Sequence, residues 1–301
     1  MRCRTPLRRA AFVALALVAA ACGGDDDVLP TEAAEAEATT TTAGDAGAVD
    51  PTTTVTTTPL TPTSEPPSTA APRPDWLGTR VLEVGPKGYA AAQPTPPELV
   101  DRRLETPDHL PPPPTDDFSA LVEPVPDDVL ARSTWSSECP VARDDLRWIR
   151  LTFWGFDGET HTGELLVHAD AVDAVVAGFQ RLHERRFPIE EMRIVTPADL
   201  DAPATGDGNN TTAFVCRPTR GSTQWSEHAY GRAVDINPFH NPYVKGEVVL
   251  PELATAYVDR SDQRPGMLVD DDVAGFVERG WGWGGRWSSL YDWMHVSASG
   301  R

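Results

Sequence analysis

The chain reads as an α+β protein: a small antiparallel sheet with flanking helices, preceded by a disordered N-terminal tether. Three observations predict this. First, residues 146–153 alternate with period two, Ile149, Leu151 and Phe153 sharing one face. After the turn signal Asp157-Gly158, residues 160–167 form the returning strand, so the pair reads as a hairpin. Second, Val172, Val175, Val176, Phe179 and Leu182 recur at helical spacing, with Asp170 placed to cap the segment. Third, strands joined in hairpins and helices kept apart from them argue for α+β rather than a βαβ sheet. Further along, residues 192–195 read as a short strand. Residues 270–280 read as a second helix, with acidic residues in its first turn, Val273, Phe276 and Val277 on one face, and Gly280 as its C-cap.

The N-terminus is set apart from this fold. Arg2, Arg4, Arg8 and Arg9 precede an apolar run over residues 10–21, too short for a stable membrane span and of the form of a secretory signal. The small residues Ala19, Ala20 and Ala21 before Cys22 resemble a bacterial lipobox, with Ala19 where leucine is more usual. That resemblance implies a lipid on Cys22 and a membrane-anchored, extracytoplasmic lipoprotein, with an ordinary cleavable signal and a chance cysteine as the alternative. Residues 22–74 are rich in Thr, Pro and Ala and too poor in large apolar side chains to offset the entropy of ordering. They read as a tether that, largely extended, reaches on the order of 100 Å. Residues 75–132 read as a proline-rich extended arm. Within it, residues 75–89 show strand-like alternation. Residues 133–301 are long enough for one domain with its own core.

Cysteine usage follows from export. Cys3 leaves with the signal and Cys22 carries lipid, so Cys139 and Cys216 remain as an even pair in an oxidising compartment. A disulfide is expected, with two buried free thiols as the alternative. Two cysteines cannot complete a tetrahedral zinc site, and no CxxC occurs. The net charge of −19 and the lack of clustered Lys/Arg exclude nucleic acid as an expected partner.

The chemistry gathers in two stretches. In SEHAYGRAVDIN, residues 233–237 alternate like a strand, Val234 and Ile236 toward the core and Asp235 toward a cleft. Gly231 permits a turn that folds His228 back to that cleft, so one imidazole and one carboxylate can reach one ion. In YDWMH, His295 stands on a strand. Residues i and i+3 of a strand point to opposite faces, so Asp292 joins His295 only from the turn leading into it. A carboxylate near a metal but not on it is where a hydrolytic site keeps its base.

Ser226, His228, Gly231, Ala233, Asp235, Trp281-Gly282, Asp292 and His295 together resemble the S-x-H-x-x-G-x-A-x-D, W-G and D/E-x-x-H pattern of the zinc D-alanyl-D-alanine carboxypeptidase (VanY-like) family. That family shares a fold with lysostaphin-type peptidases and the Hedgehog N-terminal domain. The resemblance covers residues 133–301. It implies His228, Asp235 and His295 as Zn2+ ligands, Asp292 as general base, and an arginine upstream that stabilises the oxyanion. Arg217 is the first candidate for that arginine, with Arg220 also upstream. Ser226 is expected to help hold the site or the substrate. The implied activity is hydrolysis of peptidoglycan stem peptides, removing terminal D-alanine, by a monomer. An endopeptidase of the same family and a non-catalytic zinc-containing wall-binding lipoprotein are the rivals, and Asp292 weighs against the second.

The other histidines are read as structural. His240, between Pro238 and Pro242, is expected as a loop residue outside the ligand set. His161 is expected to pack or hydrogen-bond within its strand, and His109, His168 and His183 carry no signal. The tryptophans between 281 and 293 are expected mainly in the core.

Overall fold

A computed structural model describes residues 70–301. The signal segment, Cys22 and the tether up to residue 69 lie outside the described residues. In chain order the elements are β1 (Ala120–Pro124), α1 (Asp127–Arg132), β2 (Leu146–Trp154), β3 (Thr160–His168), α2 (Val172–Glu184), β4 (Glu191–Met192), α3 (Pro197–Asp201) and β5 (Asn210–Thr211). They continue with β6 (Ala233–Asp235), β7 (Tyr243–Lys245), β8 (Val248–Leu250), α4 (Ala274–Val277), β9 (Gly282–Trp283), β10 (Tyr291–Asp292) and β11 (His295–Ser297). The architecture is α+β, with small antiparallel sheets. No helix among the described residues is long and apolar enough to cross a membrane.

The expected hairpin is β2–β3, with Ile149 opposite Leu165 and Phe153 opposite His161. Ile149, Leu151 and Phe153 are buried on the face that meets Val175, Phe179 and Leu182 of α2. The same core takes in Val234, Ile236 and Val296 from the central strands, and Trp281, Trp283 and Trp293. Burying side chains of this size contributes about 1.5–3 kcal/mol each, so this layer supplies the rigidity on which the site stands. Two further sheets, ordered β6-β11-β9 and β10-β7-β8, carry the C-terminal half.

Several local expectations change. The cap of the turn entering α2 is His168, whose ring accepts from the Asp170 N–H, whereas Asp170 pairs with Arg232. The helix expected over 270–280 is the four-residue α4. Its N-terminal part is instead a turn in which Asp272 accepts from the Val269 N–H (3.0 Å) and pairs with Arg185. α4 sits tightly on α2: a side chain at Gly178 would collide with the Phe276 ring, and one at Gly275 with the main chain of Ala177. The strand expected over 192–195 is reduced to β4, paired in parallel with β5.

The largest difference concerns the proline-rich arm. Its alternation over 75–89 gives turns and a single bridge, Val84 to Ala90, rather than a strand. No break falls at residue 133: β1 lies before it and adds to the hairpin, Ala120 opposite Leu151. Leu99 and Leu104 of the arm are buried in a second core with Phe239, Leu253 and Tyr257. Arg102, 1 % exposed, enters the interior and pairs with Glu190 through two contacts of 2.7 Å.

A third cluster packs α1 against Leu146, Leu166 and Phe214, with Cys139 and Cys216 at its edge. These two cysteines form a disulfide that ties the segment after α1 to the chain just before Arg217.

Candidate metal centre

Three side chains converge at the rim of the central sheet. Ser226 starts the short helical turn Glu227–Tyr230, its hydroxyl accepting from the His228 N–H at 3.3 Å. The turn ends at Gly231 in a left-handed conformation, φ 67°. A side chain there would come within 2.6 Å of the His168 main-chain nitrogen, so glycine is required both for the conformation and for the approach. The chain then enters β6, where Asp235 lies directly opposite His295 of β11. The peptide N–H and C=O of Asp235 both bond Thr212 on the other side (2.9 and 3.0 Å). The Asp235–His295 pair is therefore of the non-hydrogen-bonded type, in which facing side chains come closest.

The tautomers are set by main-chain oxygens. His228 Nδ1–H donates to the Ala213 carbonyl at 2.6 Å, and His295 Nε2–H donates to the Arg301 oxygen at 3.1 Å. Each ring thus directs its other nitrogen at one point. His228 Nε2 lies 3.3 Å from His295 Nδ1, and Asp235 Oδ1 lies 3.2 and 3.1 Å from those two nitrogens. Zinc–ligand bonds of about 2.0–2.1 Å at tetrahedral angles separate neighbouring ligand atoms by about 3.3–3.4 Å. The observed edges fit that figure, and two imidazoles with one carboxylate leave a fourth direction open, as catalytic sites do. The field at this point also favours positive charge. Burial works to lower the pKa of His295, but Asp235, Asp292 and the Arg301 oxygen outweigh it and raise it to about 9. Burial works to raise Asp235, yet its contacts with His228 and His295 hold it well below the usual carboxylate range.

Asp292 stands beside this group rather than in it. It ends β10, paired opposite Tyr243 of β7, and the chain turns through Trp293 and Met294 before His295 begins β11. The Trp283 indole N–H donates to the Trp293 carbonyl at 2.8 Å and pins that turn. The Oδ1 atom of Asp292 is buried without a hydrogen-bond partner. Burial pushes the carboxyl up to about 7, with His295 opposing the shift and Asp235 adding to it. A carboxyl that exchanges its proton near neutrality suits a general acid–base.

Arg217 is partly buried. Burial and the neighbouring Arg220 lower its pKa while Asp235 raises it, so its guanidinium feels the charge of the cleft. Arg220 is exposed. Trp281, Trp283 and Trp293 are core residues, whereas Trp287 is half-buried with its ring 5.9 Å from that of His295.

The remaining histidines differ from one another. His161 is buried between Asp108 and Asp157. His240 lies apart from the converging set, in a turn as expected, and it is wholly buried. Asn209 donates to its Nδ1 (3.1 Å), and its Nε2–H donates to the Arg102 carbonyl (2.8 Å). Sequence reasoning also missed the main-chain oxygens of Ala213 and Arg301. Every residue carries a main-chain oxygen, so no residue type marks these two.

Over residues 220–298 the chain matches the model of the family described as D-alanyl-D-alanine carboxypeptidase. The segment contains Ser226, His228, Asp235, Asp292 and His295, while Arg217 and both disulfide cysteines lie before it. The match supports a peptidase of this type. No curated protein and no solved structure matches the chain.

Proposed function

We propose that the protein is a zinc-dependent peptidase that hydrolyses peptidoglycan stem peptides outside the membrane, most simply by removing the terminal D-alanine. The observation that carries the reading is the placement of Asp292, its Oδ1 buried without a hydrogen-bond partner, beside three convergent ligand atoms. A metal held by His228, Asp235 and His295 would polarise the scissile carbonyl and bring a water to a pKa near 7. Asp292, whose Oδ1 is buried without a partner, would take the proton of the attacking water and return it to the leaving amine. Arg217 offers a cation to the oxygen that gains charge. Ser226 holds the His228 turn through its own hydroxyl. The location outside the membrane rests on the basic and apolar N-terminus and on Cys22 as the lipid attachment point, with the Cys139–Cys216 disulfide in keeping with export.

The test is mass spectrometry of peptidoglycan digested by the purified protein, with and without chelator, beside Asp292→Ala. Loss of one alanine from pentapeptide stems, abolished by chelator and by the substitution, is expected. Cleavage within the stem would move the protein to the endopeptidase reading. Bound zinc with no product under any condition would leave a wall-binding module.

A further inference from the structure

We infer that residues 297–301 form a positioning strap for the metal centre, in which the main-chain oxygen of Arg301 fixes the ring of His295. The inference rests on the reading that His228, Asp235 and His295 hold a metal.

The two histidines are oriented by different parts of the molecule. His228 leans on the Ala213 carbonyl, and Ala213 is wholly buried in the main core. His295 leans on Arg301, an exposed residue. The oxygen of Arg301 is nevertheless held in place. Ser297 Oγ–H donates to it at 2.9 Å, and the Gly300 N–H donates to the Ser297 carbonyl at 3.2 Å. The Trp287 indole N–H donates to the Gly300 carbonyl at 2.9 Å, and the Ala298 N–H to the Arg232 carbonyl at 3.0 Å. Gly282 gives the strap its seat: a side chain there would come within 2.5 Å of the Gly300 Cα. The strap thus turns back over β9 and delivers one acceptor to the outer nitrogen of a ligand ring. A ring with its outer N–H anchored presents Nδ1 to the metal, whereas a free ring can rotate and change tautomer. Because the anchor is a main-chain atom, the Arg301 side chain is dispensable and its backbone is not.

The experiment compares the full chain with a chain ending at Ser299, with Arg301→Ala and with Ser297→Ala. Zinc affinity is measured by chelator competition, the absorption spectrum is recorded after Co2+ loading, and thermal melting of the metal-free proteins reports folding. The chain ending at Ser299 is expected to bind zinc about 10–100-fold more weakly, with a shifted Co2+ spectrum. Arg301→Ala, which keeps the oxygen, is expected to match the full chain in both. Equal zinc affinity in the truncated chain overturns the inference, as does an Arg301→Ala loss equal to that of the truncation. Should the truncated chain fail to fold, Ser297→Ala decides: its backbone is intact and one bond to the Arg301 oxygen is gone, so an unchanged zinc affinity overturns the inference. A full chain that binds no zinc overturns the metal reading and this inference together. A full chain that binds zinc while the variants do not differ overturns this one alone.

Discussion

The clusters around Glu190 and around Asp235 both combine buried histidine with carboxylate, and they are built in opposite ways. Around Glu190 every group is answered: Arg102 engages both carboxylate oxygens, Asn209 and Arg73 add hydrogen bonds, and both nitrogens of His240 have partners. Charge and hydrogen bonding close within the cluster, and no lone pair is left for a ligand. Around Asp235 the satisfied atoms are the outer ones. His228 Nε2, His295 Nδ1 and Asp235 Oδ1 face one another, and Asp292 Oδ1 is buried with no partner. The difference teaches that histidine density does not mark a functional site. Convergent acceptors with their outer atoms already anchored do.

Substitutions can break that contrast from either side. The largest expected effect is at Asp292: Asp292→Asn should lower kcat about 10²–10⁴-fold while bound zinc per chain, measured by metal analysis, stays unchanged. Near-normal turnover would remove the carboxyl from the chemistry. Glu190→Ala should act on the other cluster alone. Stranding Arg102 in the interior should cost about 3–5 kcal/mol in urea unfolding, with zinc affinity of the folded protein preserved.

A pH effect comes next. Burial, aided by Arg102 and Arg260 and opposed by Glu190 and the Arg102 carbonyl, lowers His240 to about 4. Between that value and the unfolded value near 6.5, the unfolded chain binds the extra proton, so stability falls as pH falls. His240 should account for about 2 kcal/mol lost between pH 7 and pH 5. Urea unfolding of His240→Gln should lack that component, and an unchanged pH slope would show the ring to be protonated in the fold. The smallest effect should be at Ser226. Ser226→Ala removes the cap of the His228 turn and should cost about 1 kcal/mol, with a modest weakening of zinc binding and no change of cleavage position.

What the sequence disclosed follows from how regular the backbone is. The β2–β3 hairpin and α2 are periodic, and period reports the buried face directly. The convergence of His228, Asp235 and His295 was legible because the spacing around Gly231 turns His228 back toward Asp235, and the family resemblance adds His295 from the D-x-x-H element. The second core was not legible. Leu99, Leu104, Phe239, Leu253 and Tyr257 come from distant, largely irregular segments that carry no period. The arm's prolines signal extended chain that can pack on the domain, but no period marks Leu99, Leu104 and Arg102 as the residues that bind it there. The helix over 270–280 was overextended because its acidic first turn was spent on Arg185 and on the Val269 N–H rather than on helix propagation.

The pairing of Asp235 with His295 also sets a schedule. These two residues are 60 positions apart, and His228 and His295 are 67 apart. A chain emerging from its N-terminal end presents His228 and Asp235 first, two of the three proposed ligands, which a zinc ion would leave readily. The third arrives only when β11 inserts between β6 and β9, a non-local contact that forms slowly. On the proposed reading, retention of the ion would report that the central sheet has closed, and a half-made chain would lack the complete site.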